Sequence, residues 1–490
     1  MFLSKQNKTI KMSKAQLVFI PSPGIGHLVS TVEMAKLLVG RDDRLSITVL
    51  VMKFPFDNKG TSYTQSLSSD RIRFLDLFHD TPSTADLNSK TPGSFLFDYI
   101  ESHKPRVRDV VSEIVSKSES ESTPRLAGFV IDMFCTPMID VANEFGVPTY
   151  VFFTSSAAFL GLMFHIDTLQ QDVTELEDSD AELTVPAYAN PVPAKFLPSV
   201  LFDKEGGSMF LNIAKRCRET KGIIVNTFTE LEFRALKSLQ EDHTNPQMYP
   251  VGPVLNLKGG SPNEAQNSQS EADIMRWLDD QDPSSVVFLC FGSMGSFDGD
   301  QVKEIARALE SCGHRFLWSL RQPPPKGEIG LPKEYENPTD VLPEGFLDRT
   351  AEIGKVIGWA PQVAVLSHRA VGGFVSHCGW NSTLESLWCG VPVATWPMYA
   401  EQQMNAFQLV REFGMAAEIK MDYRKDYRMK KMPVMVTTDE ISSGIRQLMD
   451  GSDEIKHKVK KISEKSRIAV MEGGSSYNSL GCFIEDVIQG

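Results

Sequence analysis

Short apolar runs alternate with helical stretches along this 490-residue chain, and the alternation occurs twice. In the first half the runs are QLVFI (16–20), SITVLV (46–51), LAGFVI (126–131), TYVFF (149–153) and GIIVN (222–226). In the second they are VVFLCF (286–291), RFLWSL (315–320), GKVIGW (354–359), GGFVSH (372–377) and PVATW (392–396). Near-continuous apolar strands flanked by helices are buried on both faces, which predicts parallel sheets. Two such halves predict two doubly wound, Rossmann-like α/β domains. Ligands of open sheets bind beyond the carboxyl ends of the strands, so the expected site is a cleft between the domains. The stretch LNLKGGSPNEAQNSQSEAD (255–273) has a linker composition and separates a first domain, 13–254, from a second, 274–470. The irregular stretches 178–208 and 322–341 read as loops rimming a cleft or as surface insertions. The mixed-charge stretch 421–431 reads as a solvated loop.

Apolar residues make up 41% of the chain and charged residues 23%, as in an ordinary globular protein. The net charge of -13 argues against a nucleic-acid partner, which needs basic patches. Any bound anion must then be held by local dipoles. The seven cysteines include no C-x-x-C pair, which suggests reduced thiols in a cytoplasmic chain. Cys378 beside His377 lacks the further ligands a structural zinc would need. The N-terminal MFLSKQNKTIKMSK has no apolar run of signal-peptide length, and no run of about 18 apolar residues predicts a membrane span.

The run from Trp359 to Gln402 carries the most chemistry. GGFVSH reads as a buried strand, CGW breaks it, and Asn381 or Ser382 then caps a helix running to Cys389. Such a helix start presents unpaired N–H groups and partial positive charge to a phosphate. Ser382-x-x-Glu385 also reads as a capping box. Around this cradle lie Trp359, Gln362, His377, Glu385, Glu401 and Gln402, an inventory that suits a nucleotide carrying a polyhydroxylated group.

This segment resembles the signature box of plant secondary-product glycosyltransferases, which use UDP-sugars. The match covers WAPQ at its start, HCGWNS with Glu385 in its middle, and an acidic residue before Gln402 at its end. Glu401 stands where many members carry Asp. The resemblance extends over nearly the whole layout and implies the two-domain GT-B fold, with the acceptor held mainly by the first half and the donor by the second. It also implies a last helix, within 471–490, that crosses back onto the first domain. Leu480, Phe483, Ile484 and Val487 fall on one face of that helix.

Outside the box, PSPGIGH (21–27) follows the first strand, but Val29 occupies the third glycine position of a dinucleotide loop and the second strand ends without an acidic residue. His27 remains, at a helix start whose field favours the neutral ring; the alternative is a histidine that merely caps or packs. Asp132 ends a strand and points toward the crevice or caps a turn. The resemblance makes His27 the catalytic base and Asp132 the group that orients it. FGSMGS (291–296) lets backbone N–H groups approach an anion, and Ser293 resembles a phosphate-contacting serine. By the same resemblance Trp359 stacks on uracil, and Ala360 and Gln362 meet base or ribose. Glu385 takes the ribose hydroxyls; His377, Asn381 and Ser382 meet the diphosphate. Trp380, Glu401 and Gln402 hold sugar hydroxyls, and Thr154 lies near the sugar's primary hydroxyl. Two D-x-D pairs, Asp178–Asp180 and Asp298–Asp300, read as solvated or helix-capping residues, so no metal and no cofactor beyond the co-substrate UDP-glucose is expected.

The expectation is therefore inverting transfer of glucose from UDP-glucose to a hydroxyl of a small lipophilic acceptor, whether phenolic, flavonoid or terpenoid, by a monomer. A sugar-nucleotide epimerase on the same fold and a non-catalytic UDP-sugar sensor are the competing readings.

Overall fold

The computed structural model describes residues 14–53, 69–77, 92–117, 124–169, 173–177, 179–257, 264–325, 330–425, 434–451 and 453–490. Every apolar run read from the sequence coincides with a strand, to within two residues at its ends. The strands are β1 (Ala15–Ile20), β2 (Leu45–Val51), β3 (Ile72–Asp76), β4 (Arg125–Asp132), β5 (Thr149–Phe153), β6 (Glu182–Leu183), β7 (Val192–Pro193), β8 (Gly222–Val225) and β9 (Gln247–Pro250) in the first half. The second half contributes β10 (Val286–Cys290), β11 (Arg315–Ser319), β12 (Gly354–Ile357), β13 (Val371–Ser376), β14 (Val393–Thr395) and β15 (Ala416–Glu418). They form a seven-stranded parallel sheet in the order β3-β2-β1-β4-β5-β8-β9 and a six-stranded one in the order β12-β11-β10-β13-β14-β15; β6 and β7 make a small antiparallel pair.

Both orders reverse direction once. From β1 the chain builds outward through β2 and β3, then returns to place β4 on the other side of β1. From β10 it builds through β11 and β12, then returns to place β13. The loops leaving β1 and β4, and those leaving β10 and β13, therefore part in opposite directions and open a crevice at each switch point. The central strands are apolar throughout because helices cover both faces: Leu17, Phe19, Val287 and Leu289 are fully buried.

Half of the stretch read as a linker, 255–273, lies in the helix Glu264–Asp279, whose Ile274 and Leu278, just past that stretch, are buried against the core. The solvated reading of 421–431 is corrected within its described part. Met421 and Tyr423 are buried, with Tyr423 packed on Trp396, and the Arg424 guanidinium donates to the carbonyls of Lys195 and Leu197 in the first lobe. The final helix, Ser475–Gln489, lies against the first sheet, its Leu480, Phe483, Ile484 and Val487 buried in that sheet's core.

Candidate active site

β1 and β4 are neighbours, with Ile20 beside Ile131. Past β1, Gly24 takes φ 127° and the helix Ile25–Arg41 begins, carrying His27 in its first turn. Past β4, the Asp132 side chain enters the same crevice. His27 Nδ1 lies 2.7 Å from Asp132 Oδ2, and the other carboxylate oxygen accepts the Phe134 N–H. Asp132 thus both caps a turn and holds the imidazole. With Nδ1 donating to the carboxylate, Nε2 carries the lone pair. Thr154 Oγ1 stands 3.3 Å from Nδ1, Phe134 packs edge-on at 5.6 Å, and about a third of the ring (32%) is exposed. Burial lowers the imidazole pKa, but the charge and hydrogen bond of Asp132, aided by the charge of Glu401, raise it above the ordinary 6.5. The helix start therefore does not keep this ring at a depressed pKa, as the sequence suggests. A carboxylate in contact outweighs the partial charges of a helix end.

In the second lobe the same logic places the loop after β10 beside that after β13, with Cys290 paired to Ser376. Gly292 has φ +72°, and a Cβ there would lie 2.6 Å from His377 Nε2. This loop, with Ser293 next in sequence, closes on His377 only because residue 292 has no side chain. His377 is buried, its Nδ1 has no partner among the described residues, and burial pushes its pKa down to about 4.

The helix Trp380–Cys389 follows with Gly379 as its N-cap and no side-chain cap. The capping roles read for Asn381, Ser382 and Glu385 are thus corrected. Gln362 reaches in from the neighbouring helix Gln362–Leu366 and donates to both Ser382 Oγ (2.8 Å) and Glu385 Oε2 (2.6 Å). The Asn381 side chain donates to Ser30 Oγ, one turn beyond His27. The first backbone N–H groups of this helix consequently have no side-chain acceptor and face outward as donors. Burial raises Glu385 to about 7, although the Gln362 hydrogen bond opposes the rise.

The remaining box residues surround this start. The Trp359 N–H donates to Glu334 Oε1, and the Arg321 guanidinium stands 5.9 Å from its ring centroid. Ala360 is buried. The Trp380 indole donates across the lobes to the Asn226 carbonyl at 2.7 Å, so this residue presents its backbone rather than its ring N–H to the site. Glu401 precedes the helix Gln402–Phe407 and accepts from Asn405. Burial raises its pKa, partly offset by the nearby charge of His27. Gln402 Oε1 accepts the N–H groups of Met398 and Tyr399, leaving its amide NH₂ as the group available to a ligand.

The predicted residues therefore gather into a His27–Asp132 pair on the first lobe and an uncapped helix start with a polar rim on the second, joined through Asn381–Ser30 and the charge of Glu401 acting on His27. Sequence reasoning passed over Asn405, Ser30, Arg321 and Glu334, none of which sits in a recognisable motif. Of the D-x-D pairs, Asp298 caps the helix Gly299–Cys312 and Asp178 lies outside the described residues. Among the described residues no group of three or more His, Cys, Asp or Glu could hold a metal ion. No described helix is long and apolar enough to cross a membrane.

Chemically, an imidazole with a lone pair at Nε2 is poised to take a proton, and a row of N–H donors opposite is poised to hold an anion. Comparison with known proteins gives the family. Residues 234–453 match the family described as UDP-glucoronosyl and UDP-glucosyl transferase. The chain is 59% identical to UDP-glycosyltransferase 71E1 of Stevia rebaudiana, over 97% of its length and 99% of the relative's. It is 57% identical to UDP-glucose flavonoid 3-O-glucosyltransferase 6 of Fragaria ananassa, over 97% and 99% of the two chains. A crystal structure of Medicago truncatula UGT71G1 complexed with UDP-glucose shares 43% identity and superposes with a TM-score of 0.86, covering 97% of this chain and 98% of that one. With such identity sustained from end to end and both lobes superposable, the chain belongs to the plant family 1 UDP-glycosyltransferases.

Proposed function

We propose that this UDP-glycosyltransferase moves glucose from UDP-glucose to a hydroxyl of a small lipophilic acceptor of the flavonoid or phenolic kind, with inversion at the anomeric carbon. The observation that carries the reading is the His27–Asp132 pair, 2.7 Å apart at the first sheet's switch point and electrostatically coupled to Glu401 of the second lobe.

His27 Nε2 removes the acceptor's hydroxyl proton as the oxygen attacks the anomeric carbon and the bond to UDP breaks on the opposite face. Asp132 stabilises the imidazolium that forms. The negative charge growing on the departing diphosphate is met by the backbone N–H groups at Trp380, Asn381 and Ser382, by His377, and by the Ser293 loop. Trp359 stacks on the uracil, Ala360 and Gln362 border it, and Glu385 receives the ribose hydroxyls. Glu401, Gln402 and the Trp380 backbone hold glucose hydroxyls, with Thr154 near the sugar's primary hydroxyl. No metal enters the scheme, and we place the enzyme in the cytoplasm as a monomer.

The test is incubation with UDP-glucose with and without a panel of phenolic acceptors. UDP release that requires an acceptor is the expected result. Conversion of the donor without acceptor would mean an epimerase, and no turnover would mean a sensor. His27→Ala should abolish transfer to a weakly acidic alcohol while UDP still binds; wild-type rates would defeat the base assignment. EDTA should leave the rate unchanged.

A further inference from the structure

Two helix starts, one in each lobe, are treated differently. The start of Trp380–Cys389 has no side-chain cap. The start of Ala157–Thr168, just after Thr154, is closed by the protein itself. Ser156 Oγ accepts the Phe159 N–H, while the Glu232 carboxylate accepts the N–H groups of Ala157 (2.8 Å) and Ala158 (2.9 Å). Glu232 is 2% exposed and belongs to neither the base dyad nor the donor cradle. Its third donor comes from the other lobe: Gln408 Nε2 at 2.7 Å. Gln408 opens the π-turn Gln408–Glu412 that directly continues the Gln402–Phe407 helix, so it is rigidly connected to Glu401 and Gln402.

A carboxylate removed from water is costly unless its oxygens are bonded, and here the bonding is complete only when both lobes contribute. We propose that Glu232 is a positioning residue for sugar transfer: its carboxylate ties the helix that follows Thr154, whose hydroxyl lies 3.3 Å from His27 Nδ1, to the helix that follows Glu401, and so fixes the separation of the base from the donor sugar. The inference rests on the reading that His27 and Glu401 serve one site. A second, weaker tie runs parallel to it, from Ser156 Oγ to Asn405 Oδ1 at 3.5 Å. The irregular backbone at Glu232 (φ -118°, ψ 41°) interrupts its helix at this residue.

The experiment compares wild type, Glu232→Gln and Gln408→Met for UDP affinity by calorimetry and for transfer kinetics with one phenolic acceptor. Glutamine at 232 sets an NH₂ against a helix-start N–H; methionine at 408 keeps the volume and removes the donor. Both should lose roughly 10- to 100-fold in kcat, the scale expected for small misplacement of reacting groups, with UDP affinity unchanged because the cradle lies wholly in the second lobe. Unchanged kcat in either soluble variant overturns the inference. So does a parallel loss of UDP affinity, which would mark general destabilisation. Should Glu232→Gln not fold, Gln408→Met decides alone by the same two readouts. Failure of the wild type to bind UDP or transfer glucose would instead sink the underlying functional reading.

Discussion

At the scale of single residues, the site is governed by which neighbour wins at each titratable group. His27 feels burial pulling its pKa down and two carboxylates pulling it up, and the carboxylates prevail. The proposed base must be neutral to act, so transfer should fall as pH drops through a pKa lying above 6.5. In Asp132→Asn the main opposing charge is gone and burial dominates, so the falling limb should move to lower pH while kcat drops by about 10²–10⁴-fold. A pH–rate profile of the variant with an unmoved limb would remove Asp132 from this role. Glu385 gives an independent check. Burial raises it to about 7, and ribose hydroxyls donate better to the ionised form. Affinity for uridine, which lacks titrating phosphates, should therefore weaken as pH falls through about 7. The trend should flatten in Glu385→Gln, as calorimetry at several pH values would show. Much of this was legible in the sequence as residue identities, but not as charge states, because Asp132 lies 105 positions from His27 and only the fold brings them together. Glu232 did leave a trace. It shares a stripe with Ala235, Leu236 and Leu239, so an acidic residue sits on an otherwise apolar helix face.

At the scale of elements, the helix Trp380–Cys389 forgoes a side-chain cap at the end where we place the diphosphate. Its N-cap is a glycine, and Ser382 and Glu385 turn toward Gln362 instead of toward the helix backbone. Placing a fixed negative charge there tests that placement directly. Asn381→Asp keeps the side chain's size and puts a carboxylate at the positive helix end, which favours folding by about 0.3–1 kcal/mol. The same charge faces the diphosphate, so UDP binding should weaken by about tenfold or more at low salt. A thermal melt unchanged or raised, together with a poorer dissociation constant, is the expected pair. Undiminished UDP affinity would show that the diphosphate lies elsewhere. Reading this helix correctly from sequence failed at the cap because capping residues were present in the right order while their partner, Gln362, came from another element. The strands show a parallel limit. Central strands such as β1 and β10 announce themselves by apolar runs, whereas the edge strands β3 (IRFLD), β9 (QMYP) and β15 (AAE) are short or interrupted by polar residues, with too little apolar pattern to register. The helix Glu264–Asp279 was hidden by a Gln-, Asn- and Ser-rich start that reads as linker.

At the scale of the whole molecule, the lobes meet through two kinds of contact. One is polar: Trp380 to Asn226, Asn381 to Ser30, Glu412 to the backbone of Ala189 and Asn190, and Gln408 to Glu232. The other is an apolar cluster in which Phe228 and Leu231 of the first lobe meet Trp380, Leu384, Val459 and Ile462 of the second. The chain then crosses back, and its last helix completes the first lobe. Phe483 is fully buried edge-on to Tyr150 (5.0 Å) and Tyr249 (5.4 Å), the Tyr150 hydroxyl donates to Asp486 at 2.6 Å, and Arg125 donates to the carbonyls of Val487 and Ile488. A first lobe whose core depends on the final residues should unfold more readily when that helix is weakened, while the donor cradle, built on the other sheet, should not notice. Phe483→Ala removes a buried aromatic ring and should cost about 3–5 kcal/mol of stability, read as an earlier urea transition. Below that transition UDP should bind the variant as it binds the wild type, whereas transfer, which needs His27 held by the first lobe, should fail at lower urea than binding does. Loss of UDP affinity and of transfer at the same urea concentration would mean that the lobes unfold as one cooperative unit, with the apolar cluster around Trp380 coupling them more strongly than the division into two sheets implies.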